Sequence, residues 1–440
     1  MVDSLSQLLS LMLHHGATRI YAKKLSPNDN SKNQVYLGGD FSVLNIIPHN
    51  DIYTDSEEAA GSVRDRGKAS LNFFWVDQDG KHPAPEAQLI LYPKYPEVRM
   101  SGLLKRCKQA PSEIMRVRDP GRVLFIGVTA RREVLGFAVK ADSPVAVELN
   151  SRQWESLGVF LELPASADVT QNPKSILLAE LRRIHALKWI ASQKLSRDGR
   201  KLPYAARNAG GYTLEAELGI SPNGYSEPDF MGWEIKQYSV TDFQTYRAKT
   251  PVTLMTPEPN GGTYKDEGVA EFLRRFGYAD KSGKADRFNF GGIYTCDKDF
   301  HADTGLKMTL DGYDVQTGKI TDMEGSINLM SRTDEMAASW SFKGIMQHWN
   351  RKHAQAAYLP CLFHEPPPEY AYGAKVLLCE QTDFILFIKA LASGKIYYDP
   401  AVKIENASSL HPAIKRRSQF RIKHAQIVDV YHQNEEVLLS

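Results

Sequence analysis

The residues best equipped for chemistry lie between positions 211 and 238, GYTLEAELGISPNGYSEPDFMGWEIKQY. Pro228-Asp229 is followed after a short gap by Glu234-Ile235-Lys236, and Glu215 stands upstream of both. Successive side chains of a strand point to opposite faces. A strand over 233–238 therefore puts Glu234 and Lys236 on one face, roughly 7 Å apart, with Trp233 and Ile235 on the other. A bend just before it brings Asp229 beside Glu234. Two carboxylates, the Ile235 carbonyl and water make a hard oxygen cage of the kind Mg²⁺ accepts. A neighbouring lysine orients or deprotonates a water and offsets phosphate charge. Metal and lysine together suit in-line attack of water on a phosphodiester. Glu215, on a preceding helix, can hold a metal-bound water or a second cation, with Glu217 as its competitor. The plainer alternative is a solvated edge strand and a dipole-stabilised acid in a first helical turn.

The run as a whole resembles the MvaI/BcnI group of PD-(D/E)XK restriction endonucleases, which is related to the mismatch-repair nickase MutH and to Sau3AI. The resemblance rests on Gly211, Thr213, Leu214 and Glu215 at a helix start, Leu218-Gly219-Ile220, an Asn-containing loop, Pro228-Asp229, and Glu234-x-Lys236. Val252-Thr253-Leu254-Met255-Thr256 looks like the strand that follows the active-site strand in that group, with Met255 replacing a Phe. Gln237-Tyr238 departs from the smaller or more polar residues usual after the lysine. The resemblance implies Asp229 and Glu234 as metal ligands (with the Ile235 carbonyl), Lys236 as the catalytic lysine and Glu215 as the helix carboxylate. It implies a Mg²⁺-dependent type II restriction endonuclease acting on double-stranded DNA. The rivals are a MutH-like nicking enzyme and a non-catalytic DNA-binding regulator; an intact Asp229/Glu234/Lys236 set speaks against the second.

Elements must hold this set in place. Residues 175–195 carry Ile176, Leu177, Leu181, Ile184, Leu187 and Trp189 near helical spacing, which predicts one long amphipathic helix. Beyond it the pattern predicts a helix near 213–218, strands over 233–238 and 288–294, and a helix over 342–357. The first ~165 residues instead read as short strands at 34–37, 71–76, 88–92 and 122–128, separated by Gly, Pro, Asn and Asp clusters, a pattern of barrels and sandwiches. LPASADVTQNP at 163–173 reads as a linker. The expected organisation is α+β: an N-terminal β domain (1–165), a linker (166–174) and a C-terminal α/β nuclease domain with a mixed central sheet (175–440).

Two regions could meet DNA. Between Glu405 and Asp429 there is no acid, while Lys415, Arg416, Arg417, Arg421 and Lys423 are present, a local charge suited to phosphates. A second basic stretch carries His348, Arg351, Lys352 and His353, with Trp349 expected in the core and the histidines as surface caps or base readers. In the N-terminal part, Lys23 and Lys24 precede Leu25-Ser26-Pro27-Asn28-Asp29-Asn30. That stretch resembles the Leu-Ser-x-Asn-Asp signature of the EcoRII-type effector domain, a B3-like pseudobarrel that binds DNA. Gln34 stands where that family often has His-Gln, and Arg99, Lys105 and Arg106 fall in a segment like its second arm. Asn, Gln and Arg are the side chains that read purine edges, although Pro-Asn-Asp-Asn is also simply good turn chemistry. An effector domain joined to such a catalytic domain resembles monomeric restriction enzymes of the UbaLAI type. The expected partner is double-stranded DNA, as substrate alone or as two copies bound at effector and catalytic sites.

Composition bounds the rest. Of 440 residues, 42% are hydrophobic and 24% charged, and 54 Lys+Arg against 52 Asp+Glu leave a net charge of +2. Those values suit globular domains and exclude a uniformly basic coat protein, so any DNA-binding charge must be gathered locally. The four cysteines, Cys107, Cys296, Cys361 and Cys379, form no CxxC pair, which excludes a zinc ribbon and disfavours a disulfide framework. Residues 1–15 lack the features of a signal peptide. The longest apolar run, 123–139, is broken by Arg131-Arg132-Glu133, so no membrane span is expected. A cytoplasmic protein, monomeric in solution, is the expectation.

Overall fold

The computed structural model divides the chain into two units, Met1–Ile176 and Leu177–Ser440. It describes residues 2–27, 34–55, 58–59, 62–63, 66–93, 96–154, 156–164, 173–196, 198–206, 209–220, 229–296 and 298–439.

The first unit is built on two sheets. In the seven-stranded sheet the order is Ser156–Leu157, Phe160–Leu163, Ala17–Lys24, Val123–Thr129, Val134–Val139, Phe73–Val76 and Lys81–Pro83. The broken apolar run at 123–139 is its central hairpin. Val123–Thr129 and Val134–Val139 pair antiparallel, and the Arg131-Arg132-Glu133 interruption is the turn, with Arg132 at φ 62°. The five-stranded sheet runs Val35–Gly38, Glu97–Ser101, Gln88–Tyr92, Arg66–Ser70 and Tyr53–Asp55. Alternation sets its faces: Val98 and Met100 are buried while Glu97, Arg99 and Ser101 stay half-exposed. The helix Leu5–His14 starts on Ser4, whose hydroxyl accepts from the Gln7 N–H, a standard N-cap. Its Leu5, Leu8 and Met12 pack with Ile20, Phe125, Leu135 and Val145 of the core.

The second unit is organised on a mixed sheet. Ile190–Ala191, Glu369–Tyr372, Gln355–His364, Lys375–Glu380 and Gln433–Leu438 pair antiparallel in that order, and Glu234–Ser239 joins parallel to Gln355–His364. The register sets Glu234 opposite Ala356 and Lys236 opposite Tyr358. The helices Pro173–Ala186 and Ala209–Glu217 cover this sheet through Leu177, Leu181, Ile184 and Leu214, which meet Trp233, Ile235, Leu359 and Tyr372. The sheet Tyr278–Ala279, Arg287–Gly291, Ala401–Glu405 and Ala413–Lys415 carries much of the basic C-terminal segment. Among the described residues no helix is long and apolar enough to cross a membrane. All four cysteines are free thiols.

Three elements depart from the sequence pattern. The helix expected over 175–195 stops at Ala186. Lys188 adopts φ 60°, Leu187 and Trp189 turn outward at 47% and 46% exposure, and residues 190–191 and 193–195 become strands. Helical spacing continued past the point where sheet bonds took over. The helix expected over 342–357 likewise ends at His353, because Gln355–Ala357 belong to the central strand, where Ala356 and Ala357 are fully buried. The strand at 288–294 is Arg287–Gly291, ended by Gly292 at φ 137°, a conformation open to glycine.

Candidate active site

Asp229, Glu234 and Lys236 converge through one tight turn. Phe230 and Trp233 exchange both backbone hydrogen bonds (2.9 and 2.8 Å) around Met231 and Gly232, at φ 47° and 90°. Two central residues with positive φ define the I′-like hairpin turn; glycine takes the second at no steric cost, and Met231 holds the first. The turn folds Asp229 back on the strand Glu234–Ser239, where its Oδ2 accepts from the Ile235 N–H at 2.9 Å. Trp233 and Ile235 point into the core, and Glu234 and Lys236 to the opposite side, as strand alternation requires.

Glu234 is the centre of the arrangement. It is 2% exposed, and its Oε1 accepts from Lys236 Nζ at 2.8 Å and from Lys352 Nζ at 3.3 Å. Its Oε2 is buried without a partner. Burial pushes the Glu234 carboxyl up, but the charges of Lys236 and Lys352 outweigh it and hold the group at about 2. The two other acids move the other way. Burial, reinforced by the charge of Glu234, raises Asp229 to about 6. Burial with the charges of Asp229 and Glu234 raises Glu215 to about 7. Three carboxylates thus face two lysines, and a buried carboxylate oxygen is left to accept. This donor set fits a divalent cation: hard oxygen ligands, net negative charge and an unsatisfied buried atom.

The structure also separates Glu215 from Glu217. Glu217 accepts from Gln193 Nε2 (2.6 Å) and Lys201 Nζ (2.5 Å), while Arg183 bonds its backbone carbonyl (2.7 Å). Its carboxylate is occupied in structure, whereas Glu215 senses the charges of the acidic centre. Helix and strand approach closely at Gly210, where a Cβ would lie 3.0 Å from the Tyr370 ring and 3.3 Å from Gln237 Cδ.

Lys352 is the member that sequence reading missed. It appeared only as one charge of a basic stretch, and nothing in the spacing ties it to Glu234. The signal was indirect: its helix feeds straight into the strand that pairs with Glu234–Ser239. His353, expected at the surface, is instead fully buried. Its ring stacks on Trp349 at 4.1 Å and bonds the Leu254 carbonyl and the Tyr431 hydroxyl. Burial, with the Lys236 charge, pushes it down to about 3, so it stays neutral and is no base reader. Trp349 is core, as expected, and His348 is half-buried.

The other basic positions fall into two sets. Lys415, Arg416, Arg417 and Lys423 are exposed. The first three line a groove with Lys281, Arg287 and Lys403. Arg421 differs: its guanidinium bonds Asp399 Oδ2 at 2.6 Å and the Pro251 carbonyl at 2.8 Å. In the first unit Lys24 is exposed and Lys23 half-buried, with its Nζ on the Lys24 carbonyl at 3.1 Å and its pKa lowered by burial. Arg99 pairs with Glu97 (2.8 Å), bonds Gln34 Oε1 (3.2 Å) and lies over the Tyr92 ring. Lys105 and Arg106 share Glu86 at 3.4 and 3.0 Å. Asn28, Asp29, Asn30 and Pro228 lie outside the described residues.

Comparison with known proteins gives the family. Residues 178–431, more than half of the chain, match the MvaI/BcnI restriction endonuclease family. Among the similar solved structures are two at 15% identity. A complex titled restriction endonuclease MvaI–cognate DNA substrate covers 62% of this chain and 100% of its own, with a TM-score of 0.44. Restriction endonuclease MvaI in the absence of DNA covers 61% and 99%, with a TM-score of 0.34. A comparison with curated protein sequences gave no match. The chain belongs to the MvaI/BcnI restriction endonuclease family. It is a site-specific deoxyribonuclease of the type II restriction class, a group of enzymes that generally use a divalent metal.

Proposed function

We propose that the acidic centre is a Mg²⁺-dependent phosphodiesterase site that cuts double-stranded DNA. The observation that supports this most is the buried, unpartnered Oε2 of Glu234 beside Asp229 and Glu215. Asp229, Glu234 and the carbonyl of Ile235 would hold the cation. When bound, Mg²⁺ polarises a phosphoryl oxygen and acidifies a water. The remaining work falls to the chain's own side chains. Lys236 donates to the attacking water and to the phosphate, and offsets the charge that develops there. Glu215, raised to about 7, is poised near neutrality to take up a proton from the water.

The first unit is proposed as a B3-like DNA-binding effector domain. Its supporting features are the two sheets, the exposed Lys24 and the arm that carries Arg99, Lys105 and Arg106. The whole is then a type IIE enzyme that engages two copies of DNA, as effector and as substrate. The test is incubation of the purified protein with supercoiled plasmid and phage DNA, with Mg²⁺ and with EDTA, followed by mapping of the ends. Mg²⁺-dependent double-strand breaks at fixed sequences are expected. Nicks alone would mean a nicking enzyme. Binding without scission would mean a regulator.

A further inference from the structure

One oxygen of Glu234 holds two ammonium groups, and they arrive by different routes. Lys236 Nζ, at 2.8 Å, comes from the same strand two residues on. Lys352 Nζ, at 3.3 Å, comes from the last turn of the helix Phe342–His353. That helix continues through Ala354 into the strand running parallel to Glu234–Ser239, so sheet pairing fixes where Lys352 starts. Two cations on one carboxylate oxygen exceed what charge balance at that side chain needs, while Oε2 of the same carboxylate has no donor.

We infer that Lys352 is a positioning residue of the active site, resting on the reading of that site given above. It holds Glu234 by Oε1 so that Oε2 is left for the cation, and it stays there when Lys236 turns to the attacking water and the scissile phosphate. The argument is one of counting donors. Lys236 cannot serve phosphate and keep its full contact with Glu234. Glu234 is 2% exposed, so no solvent stands ready to replace a departing ammonium. A buried acceptor stripped of its donor costs about 1–3 kcal/mol, and more when charged. Lys352 removes that penalty from the motion of Lys236.

Lys352→Met keeps the chain length and removes the charge. Its kcat for DNA cleavage should fall about 10- to 100-fold, the range for loss of a group that orients a metal ligand. Ca²⁺ binding, followed by titration calorimetry on the full chain, should tighten several-fold, because a positive charge has left the carboxylate cluster. DNA affinity in EDTA should stay within about two-fold of wild type, and Lys352→Arg should restore most of kcat. A lysine with a merely structural part would give a lower melting temperature, weaker Ca²⁺ binding and no rescue by arginine, which overturns the inference. Unchanged kcat together with unchanged Ca²⁺ binding overturns it as well. Failure of the underlying site reading looks different: wild type would not cut with any divalent cation, or Lys236→Ala would cut normally.

Discussion

Glu234 is 2% exposed and held by lysines from two elements, whereas Lys415, Arg416 and Arg417 of the same unit stand in solvent on and beside a short edge strand. Under the proposed function, the contrast follows from what each charge has to do. A charge that acts on a bond must be fixed to a fraction of an ångström and freed from competing water, so the fold surrounds it with partners and accepts the desolvation. A charge that neutralises a backbone phosphate gains by releasing counterions and needs only to be near. Arg421 lies six residues from Lys415 in the same basic run, yet belongs to neither kind. Its guanidinium ties the strand Phe420–Ile422 to Asp399 and the Pro251 carbonyl.

The sharpest way to break this contrast is in the acidic centre. Lys236→Ala should lower the cleavage rate by about 10²- to 10⁴-fold while DNA binding in EDTA is retained. Asp229→Ala should lose divalent-cation binding and cleavage together. Rates near wild type in either variant would remove the site assignment. In the basic segment the expected effect is graded. Lys415→Ala, Arg416→Ala and Arg417→Ala should weaken binding across DNA sequences, each lowering the salt slope by about one unit. Arg421→Ala should act on stability instead, by roughly 1–3 kcal/mol, because Asp399 loses its charged donor. A salt slope that does not move in the triple variant means that these cations are only a solvated surface.

A smaller effect is expected from pH. The carboxyls of Glu215 and Asp229 are raised from 4.5 to about 7 and from 3.8 to about 6. Between those limits the folded state binds more protons than the unfolded chain, so the contribution of these groups to stability falls as pH rises. Without divalent cations, the melting temperature of Glu215→Gln relative to wild type should therefore climb between pH 5 and pH 8. Ca²⁺ should favour the wild type more strongly at pH 8, where the carboxylates have lost their competing protons. A difference that does not change with pH would show that Glu215 is not held protonated by its neighbours. Least in size is the effect in the first unit. Cleavage of two-site DNA should exceed that of one-site DNA by a few-fold, and Lys24→Ala with Arg99→Ala should reduce that ratio. An equal rate on both substrates removes the effector role.

Much of the catalytic strand was legible because its determinants are local. The alternation of Trp233, Glu234, Ile235 and Lys236 is a property of any strand, and Gly232 marks the turn that returns Asp229. The same alternation buries Val98 and Met100 and leaves Arg99 half-exposed, and the charged break at 131–133, read from the sequence only as an obstacle to a membrane span, is the turn of a hairpin. These features depend on a period of two residues and on backbone conformations that few residue types adopt, which neighbouring residues carry by themselves. Tertiary structure decided the rest. Helical spacing persisted past Ala186 and His353, but sheet partners claimed the following residues, since a buried central strand outweighs a weak local propensity. Glu215 and Glu217 look alike in sequence; packing of one helix face on residues 193 and 201 occupied Glu217 and left Glu215 to the acidic centre. His353 and Lys352 are adjacent, yet one entered the core beside Trp349 and the other met Glu234. Their environments come from strands distant along the chain, and a one-dimensional pattern carries no record of which distant strand will pair.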